Sequence, residues 1–321
     1  MRIDHEDLKA NVWVNTGEIP RNGIDDDQNG YIDDVNGYNL ASDIASPMPQ
    51  ISSANSSWQW AHGTRVAGLA AATAFNHIGG AGVAANAKIM ALNVMGRGNS
   101  MDQSNTANAV RYAIDNGADV INLSLGGNEG LSVDLANQLR RATANGVVVF
   151  AAAGNESSPI GANYSAAGLA PSVAGLISVG NIQGDTNLIS TTSNYSNYYV
   201  KLAAPGTNSM SDLLYTTSPE SSSSYGYFSG TSAATPVAAG AAALAIGLVK
   251  SRGYTVSAAA IEKLMLASAK KISALKGYFQ NGNVLDLANL ARAVNRQYPR
   301  TVNPANNIGS APASIQNCTG T

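Results

Sequence analysis

From about residue 60 onward, short unbroken apolar runs alternate with longer stretches whose apolar positions recur at helical spacing. Residues 62–74 predict a helix of small and apolar side chains, and Ala87–Val94 a buried strand. Ser100 and Gln103 have the spacing of a capping box, opening a helix that closes at Gly117. Ala118–Leu123 predicts the next strand, a helix runs from about Ser132 to Gly146, and Val147–Ala152 is a continuous apolar strand. Strands near Leu176–Asn181 and Val200–Ala204 follow, then a long helix from Thr231 to Val249 and two more over 257–268 and 286–296. Strands that are apolar throughout and separated by helices predict an α/β fold: a mainly parallel sheet covered on both faces, in three α/β/α layers. One domain is expected over residues 1–296. Residues 297–321, rich in Asn, Pro, Ala and Ser, have little to bury and read as a polar tail or linker.

Composition narrows the picture. Charged residues make up 12% of the 321 positions, about half the usual share, while 52 Ala and 32 Gly favour close backbone packing. That balance excludes coiled coils and charged disordered tails. No apolar run reaches the 18–20 residues of a membrane span, and the nearest, 233–249, begins around Thr235 and Pro236. The first twenty residues are polar, unlike a secretory signal. The single cysteine, Cys318, excludes a disulfide framework and a cysteine metal site. No basic run interleaved with aromatics points to nucleic acid. The histidines are His5, His62 and His77; His5 reads as structural and His77 as a surface residue.

The charge is unevenly spread. Residues 1–43 carry ten of the 21 acidic and three of the 19 basic residues, a balance of −7 against +5 for the remainder. Within them Asp25-Asp26-Asp27-Gln28-Asn29-Gly30-Tyr31-Ile32-Asp33 has the first nine positions of an EF-hand loop. Asp25, Asp27, Asn29, the Tyr31 carbonyl and Asp33 would ligate calcium, with Gly30 at the sharp turn. Position twelve is Asn36 instead of glutamate, so further ligands come from elsewhere or from water. The alternative is an Asx-rich surface turn. Asp34 and Asp43 read as solvated or outside the ligand set.

Three further segments carry candidate chemistry. Ala61-His62-Gly63-Thr64-Arg65-Val66-Ala67-Gly68 sets a histidine at an expected helix start. Val148–Ala152 is an apolar strand that runs through Ala153-Gly154 into a turn carrying Asn155. Ser229-Gly230-Thr231-Ser232-Ala233-Ala234-Thr235-Pro236 opens the Ala-rich helix with a serine, where free N–H groups favour negative charge, and with a proline read as lying in the first turn. A serine hydroxyl needs a base within reach to act as a nucleophile, histidine is the usual base, and an amide with a backbone N–H can hold an oxyanion.

The order and local sequence of these segments resemble the subtilisin family of serine proteases, the subtilases. His62–Gly68 matches the family's His-Gly-Thr-His-Val-Ala-Gly in six of seven positions, with Arg65 the exception, and Gly230–Pro236 matches Gly-Thr-Ser-Met-Ala-Thr/Ala-Pro except at Ala233. Ala152–Asn155 matches the oxyanion motif, Asp119–Gly126 the substrate-pairing strand, and Ala203–Gly206 a further signature. The resemblance, over roughly 1–296, implies Ser232 as nucleophile, His62 as general base and then acid, and Asn155 with the Ser232 N–H as oxyanion hole. It implies that Ser124, Leu125 and Gly126 pair with a polypeptide substrate and that Ala152, Ala153 and Gly154 form the other wall of its main pocket. Secretion and structural calcium are also implied, with no catalytic cofactor.

One residue of the family triad has no counterpart. The triad runs Asp, His, Ser along the chain. The aspartate ends a central strand seven residues before a His-Pro-Asp-Leu that His5-Glu6-Asp7-Leu8 resembles, which falls upstream of Met1. The chain as written is therefore expected to be nearly inactive and poorly stable. Either the working protein starts further upstream, or the chain is a degenerate homologue retained to bind peptides. A third reading treats the calcium loop as part of an adhesive module, the tail leading into further domains. Trp58 and Trp60 either edge the cleft or pack.

Overall fold

The computed structural model describes residues 1–49, 57–95, 102–184, 186–207 and 213–300. A six-stranded sheet is ordered β3 (Val120–Leu123), β4 (Val148–Ala152), β5 (Leu176–Ile182), β6 (Leu202–Pro205), β10 (Asn283–Val284), β9 (Lys270–Lys271). All neighbours pair in parallel except β9, which runs antiparallel at the edge. Every residue of β4 and β5 is buried, the reason their sequences are apolar without alternation.

Alternate strand residues feed two cores. Val149, Ala151 and Leu176 pack with Val110 of α2 (Gln103–Asp115) and Leu139 of α3 (Val133–Ala144). Val148, Phe150 and Ile177 pack on the opposite face with α4 (Thr231–Lys250), α5 (Ala258–Ser268) and α6 (Leu287–Gln297). The three-layer α/β/α arrangement is thus the one the apolar pattern predicts. The long apolar helix α4 is buried in this core. Side-chain caps fix four helix starts: Asp102 accepts from the Ser104 N–H, Ser132 from Leu135, Ser257 from Ala260 and Asp286 from Asn289. The expected Ser100 cap lies outside the described residues, and Asp102 caps α2. β7 (Leu214–Ser218) and β8 (Ser224–Phe228) form an antiparallel hairpin with no counterpart in the predicted elements.

The predicted strand over Ala87–Val94 is shorter, β2 (Ala91–Asn93), and pairs in parallel with β1 (Gly37–Asn39) in a separate two-stranded sheet. Between β2 and β3 lies a slot of about 670 Å³, walled by Met90 and Leu92 on one side and Val120 and Asn122 on the other. Helix α2 closes one face and α4 with α1 (Ser57–Ala71) the other.

Candidate active site

His62 sits in the second turn of α1, because the helix begins five residues earlier than its sequence start was placed. Its ring is 7% exposed and stands edge-on to Phe228 of β8, with centroids 5.4 Å apart. Burial, and then the Arg65 guanidinium, push its pKa down to about 4. Arg65 itself is held by the hairpin: its Nε donates to Ser218 Oγ at 3.2 Å and it pairs with Glu220 at 3.6 Å. The hairpin docks closely because Gly68 has no side chain; a Cβ there would lie 2.3 Å from Thr216 Oγ1.

Ser232 opens α4 and is 8% exposed. Its Oγ donates to the Ser124 carbonyl at 3.2 Å, and Ser124 Oγ donates back to the Ser232 carbonyl at 3.0 Å. Pro236 explains why that carbonyl is free. It lies in the second turn, where the sequence placed it in the first, and lacks the N–H that would bond the carbonyl four residues earlier. Ser124 and His62 line the same slot.

Asn155 follows β4, and its Oδ1 accepts from both the Thr231 N–H (2.8 Å) and Thr231 Oγ1 (3.1 Å). The acceptor end is thereby fixed, and Nδ2 is the end left to donate. Thr231 Oγ1 also accepts from the Gly154 N–H at 3.2 Å. Gly154 has a φ of 97°, and a Cβ there would fall 1.7 Å from Tyr164 Oη. Gly126 approaches the same ring, its Cβ position lying 3.2 Å from Tyr164 and 3.5 Å from the Ala152 carbonyl. Thus Gly126 and Gly154 both abut Tyr164. Leu125 and Gly126 also border a smaller pocket of about 200 Å³ with Leu135 and Ala166. Beneath Gly154, Glu156 accepts from Tyr164 Oη (2.9 Å) and from Asn194, whose Nδ2 also reaches the Ala153 carbonyl (3.0 Å). Burial, then the Glu156 charge, raise the Tyr164 pKa, keeping the phenol protonated as a donor. Thr231, Tyr164, Glu156, Asn194 and Phe228 were not singled out from the sequence. Only Thr231, beside Ser232, carried a signal there.

The acidic loop gathers differently from the EF-hand expectation. Glu18, Asp27 and Asp34 bring carboxylate oxygens within 4.8 Å of one another. Of the five residues named from the sequence, Asp27 belongs to this cluster. Asp25 accepts the Asn29 and Gly30 N–H groups, Asp33 those of Asn22 and Gly23, and Asn29 Oδ1 that of Tyr31. Asp34, read as solvated or outside the ligand set, is fully buried, accepting from Asn15, Asn29 and Tyr112. Glu18 is 6% exposed and accepts the Asp26, Asp27 and Asp33 N–H groups.

Comparison with known proteins gives the family. Residues 2–296 match the model of the subtilase family. The chain belongs to that family. Among its subtilase relatives, a thermophilic serine proteinase of Bacillus sp. (strain AK1) is 38% identical over 226 residues, covering 70% of this chain and 50% of the relative. Thermitase of Thermoactinomyces vulgaris is 39% identical over 227 residues, covering 70% and 72%. An extracellular protease of Xanthomonas campestris pv. campestris is 31% identical over 309 residues, covering 90% and 49%. The chain spans about half the length of several such relatives. Among solved structures, a protease from Pseudoalteromonas arctica PAMC 21717 superposes with a TM-score of 0.69 at 28% identity, over 90% of this chain and 86% of that one.

Proposed function

We propose that this subtilase chain carries the machinery of a secreted serine endopeptidase that cleaves polypeptides through an acyl-enzyme on Ser232. The observation that carries the reading is the grip of Thr231 on Asn155. It aims an amide donor beside a serine at the head of a 20-residue helix, where negative charge is favoured. In the first step the Ser232 hydroxyl leaves the Ser124 carbonyl and passes its proton to His62 as Oγ adds to the scissile carbonyl. The oxyanion is met by Asn155 Nδ2 and the Ser232 N–H, and His62 then protonates the leaving amine. Water repeats the cycle on the ester. The extracellular proteases among the relatives support secretion.

The position the resemblance gives the triad carboxylate falls before Met1, and Asp4 and Asp7 are engaged elsewhere. Asp4 pairs with Arg2 at 3.1 Å, and Asp7 accepts from Asn76 Nδ2 at 2.7 Å. We infer that turnover without a carboxylate at that position is slower by roughly 30,000-fold, the value established for subtilisin itself. The test compares the chain with a version extended upstream by an apolar strand ending in Asp-Thr-Gly. The extended form is expected to cleave a peptide anilide at least 1,000-fold faster, with Ser232 labelled by a fluorophosphonate. Equal turnover in the two would overturn the carboxylate argument. If neither form is labelled, the reading becomes a peptide-binding homologue.

A second reading concerns calcium. Three carboxylates within 4.8 Å repel one another unless a cation joins them, and Glu18, Asp27 and Asp34 form an all-oxygen set suited to a hard ion. We propose that these residues, with the Asp25–Asp33 loop around them, hold a structural calcium. Calcium should raise the thermal midpoint and EDTA lower it by several degrees, with Asp27→Asn abolishing the difference. A midpoint indifferent to EDTA would remove the proposal.

A further inference from the structure

We propose that the outer face of the β7–β8 hairpin is a docking strip for protein substrates, gripping the part of the chain that leaves after cleavage. The inference rests on the peptidase reading above and extends it beyond the scissile bond. His62 has to give a proton to the departing nitrogen, so that product leaves past His62 and the ring set edge-on against it, Phe228. Phe228 is the last residue of β8, four positions before Ser232. The acyl side of the substrate is assigned to Ser124, Leu125 and Gly126 with Ala152, Ala153 and Gly154, which leaves the hairpin to the departing side.

Beyond Phe228 the hairpin carries three tyrosines in a row. Tyr227 and Tyr215 are a cross-strand pair, with ring centroids 5.6 Å apart. Tyr215 then stacks on Tyr225 at 5.5 Å, the two planes 18° apart. The hairpin is held to α1 by Thr216, Thr217 and Ser218, while Tyr215 and Tyr227 stay 48% and 61% exposed. The far ring is fixed: Tyr225 Oη donates to Glu6 at 3.1 Å, and His5 stands edge-on with centroids 5.1 Å apart. Gly79 packs against the same ring, since a Cβ there would fall 2.2 Å from it. Preorganised aromatic rings are the usual anchors of polypeptide recognition, because they offer large contact area and lose little freedom. An extended chain repeats its side-chain direction about every 6.6 Å, and strong twist shortens that repeat towards the 5.5–5.6 Å of the rings. Alternate residues of the departing segment therefore meet successive rings, and apolar side chains or proline are the ones that bury against them. A cross-strand tyrosine pair can also serve the hairpin alone.

The test uses the full chain as Ser232→Ala, which cannot form the acyl-enzyme, and fluorescent peptides that span the scissile bond. One carries Leu at alternate positions of the leaving side, one carries Ser there, and one stops at the acyl residue. The Leu peptide should bind about tenfold tighter than the Ser peptide. In Tyr215→Ser with Tyr227→Ser that advantage should vanish, while the acyl-side peptide binds as before. No binding, equal binding of the Leu and Ser peptides by the parent, or an advantage that survives the double substitution would overturn the proposal. So would a double variant that loses only thermal stability, since the pair then serves the hairpin. Self-association abolished by the same substitutions would also overturn it, since a second copy then covers the face. Failure of the peptidase reading shows separately, as no fluorophosphonate labelling of Ser232 in the upstream-extended chain, and leaves the contrast between the Leu and Ser peptides measurable.

Discussion

Thr231 shows how one residue can set the geometry of a site without taking part in the reaction. It holds Asn155 Oδ1 twice and the Gly154 N–H once, and so couples the turn after β4 to the start of α4. Thr231→Val keeps the backbone donor and the shape but removes the hydroxyl. The rate of Ser232 labelling should fall by up to about thirtyfold, in line with two lost hydrogen bonds of about 1 kcal/mol each. An unchanged rate would show that the backbone donor alone positions Asn155. His62 makes a pH prediction. Its pKa is about 4 folded against 6.5 unfolded, so between those values the unfolded chain takes up a proton that the folded chain refuses. The stability present above pH 6.5 is lost progressively as pH falls towards 4, by about 3 kcal/mol in all. Urea unfolding at pH 7 and pH 4.5 should show the loss in the parent and much less of it in His62→Gln. Ser232, His62 and Asn155 were legible because each sits in a short contiguous motif. The Thr231–Asn155 contact was not, because it joins positions 76 apart.

At the scale of elements, the parallel strands and α2 to α6 could be read from the sequence because burial on both faces, caps and terminal glycines all leave local marks. The hairpin β7–β8 left none: its strands mix serine, threonine and tyrosine, and their order comes from docking on α1 through Thr216 and Thr217. The acidic loop was readable as a spacing, but Glu18 and Asp34 join it only through the fold. A buried pair ties β6's flank to α5: Lys201 Nζ lies 2.5 Å from Glu262, and Glu262 also accepts the Gly175 N–H at 2.5 Å. Glu262→Gln leaves the Lys201 ammonium buried beside a neutral amide and should cost about 3–5 kcal/mol. Glu262→Met with Lys201→Met should recover most of that loss in denaturant titrations. If the double variant is as unstable as the single one, packing and not charge is what the pair provides.

For the molecule as a whole, the break between β2 and β3 has a consequence for how it comes apart. Hydrogen-bonded ladders make neighbouring strands unfold together, and here the ladder stops at the slot. The N-terminal part, with β1, β2 and the acidic loop, is joined to the six-stranded sheet through helix packing instead of strand pairing. Such parts behave as separate cooperative units. Denaturant should therefore resolve two transitions, the earlier one reported by Trp13 and Trp60 and the later by far-ultraviolet dichroism, where an unbroken sheet of this size would give coincident curves. An upstream extension that places a strand between β2 and β3 should merge the two, because the boundary between the units lies where the ladder is interrupted.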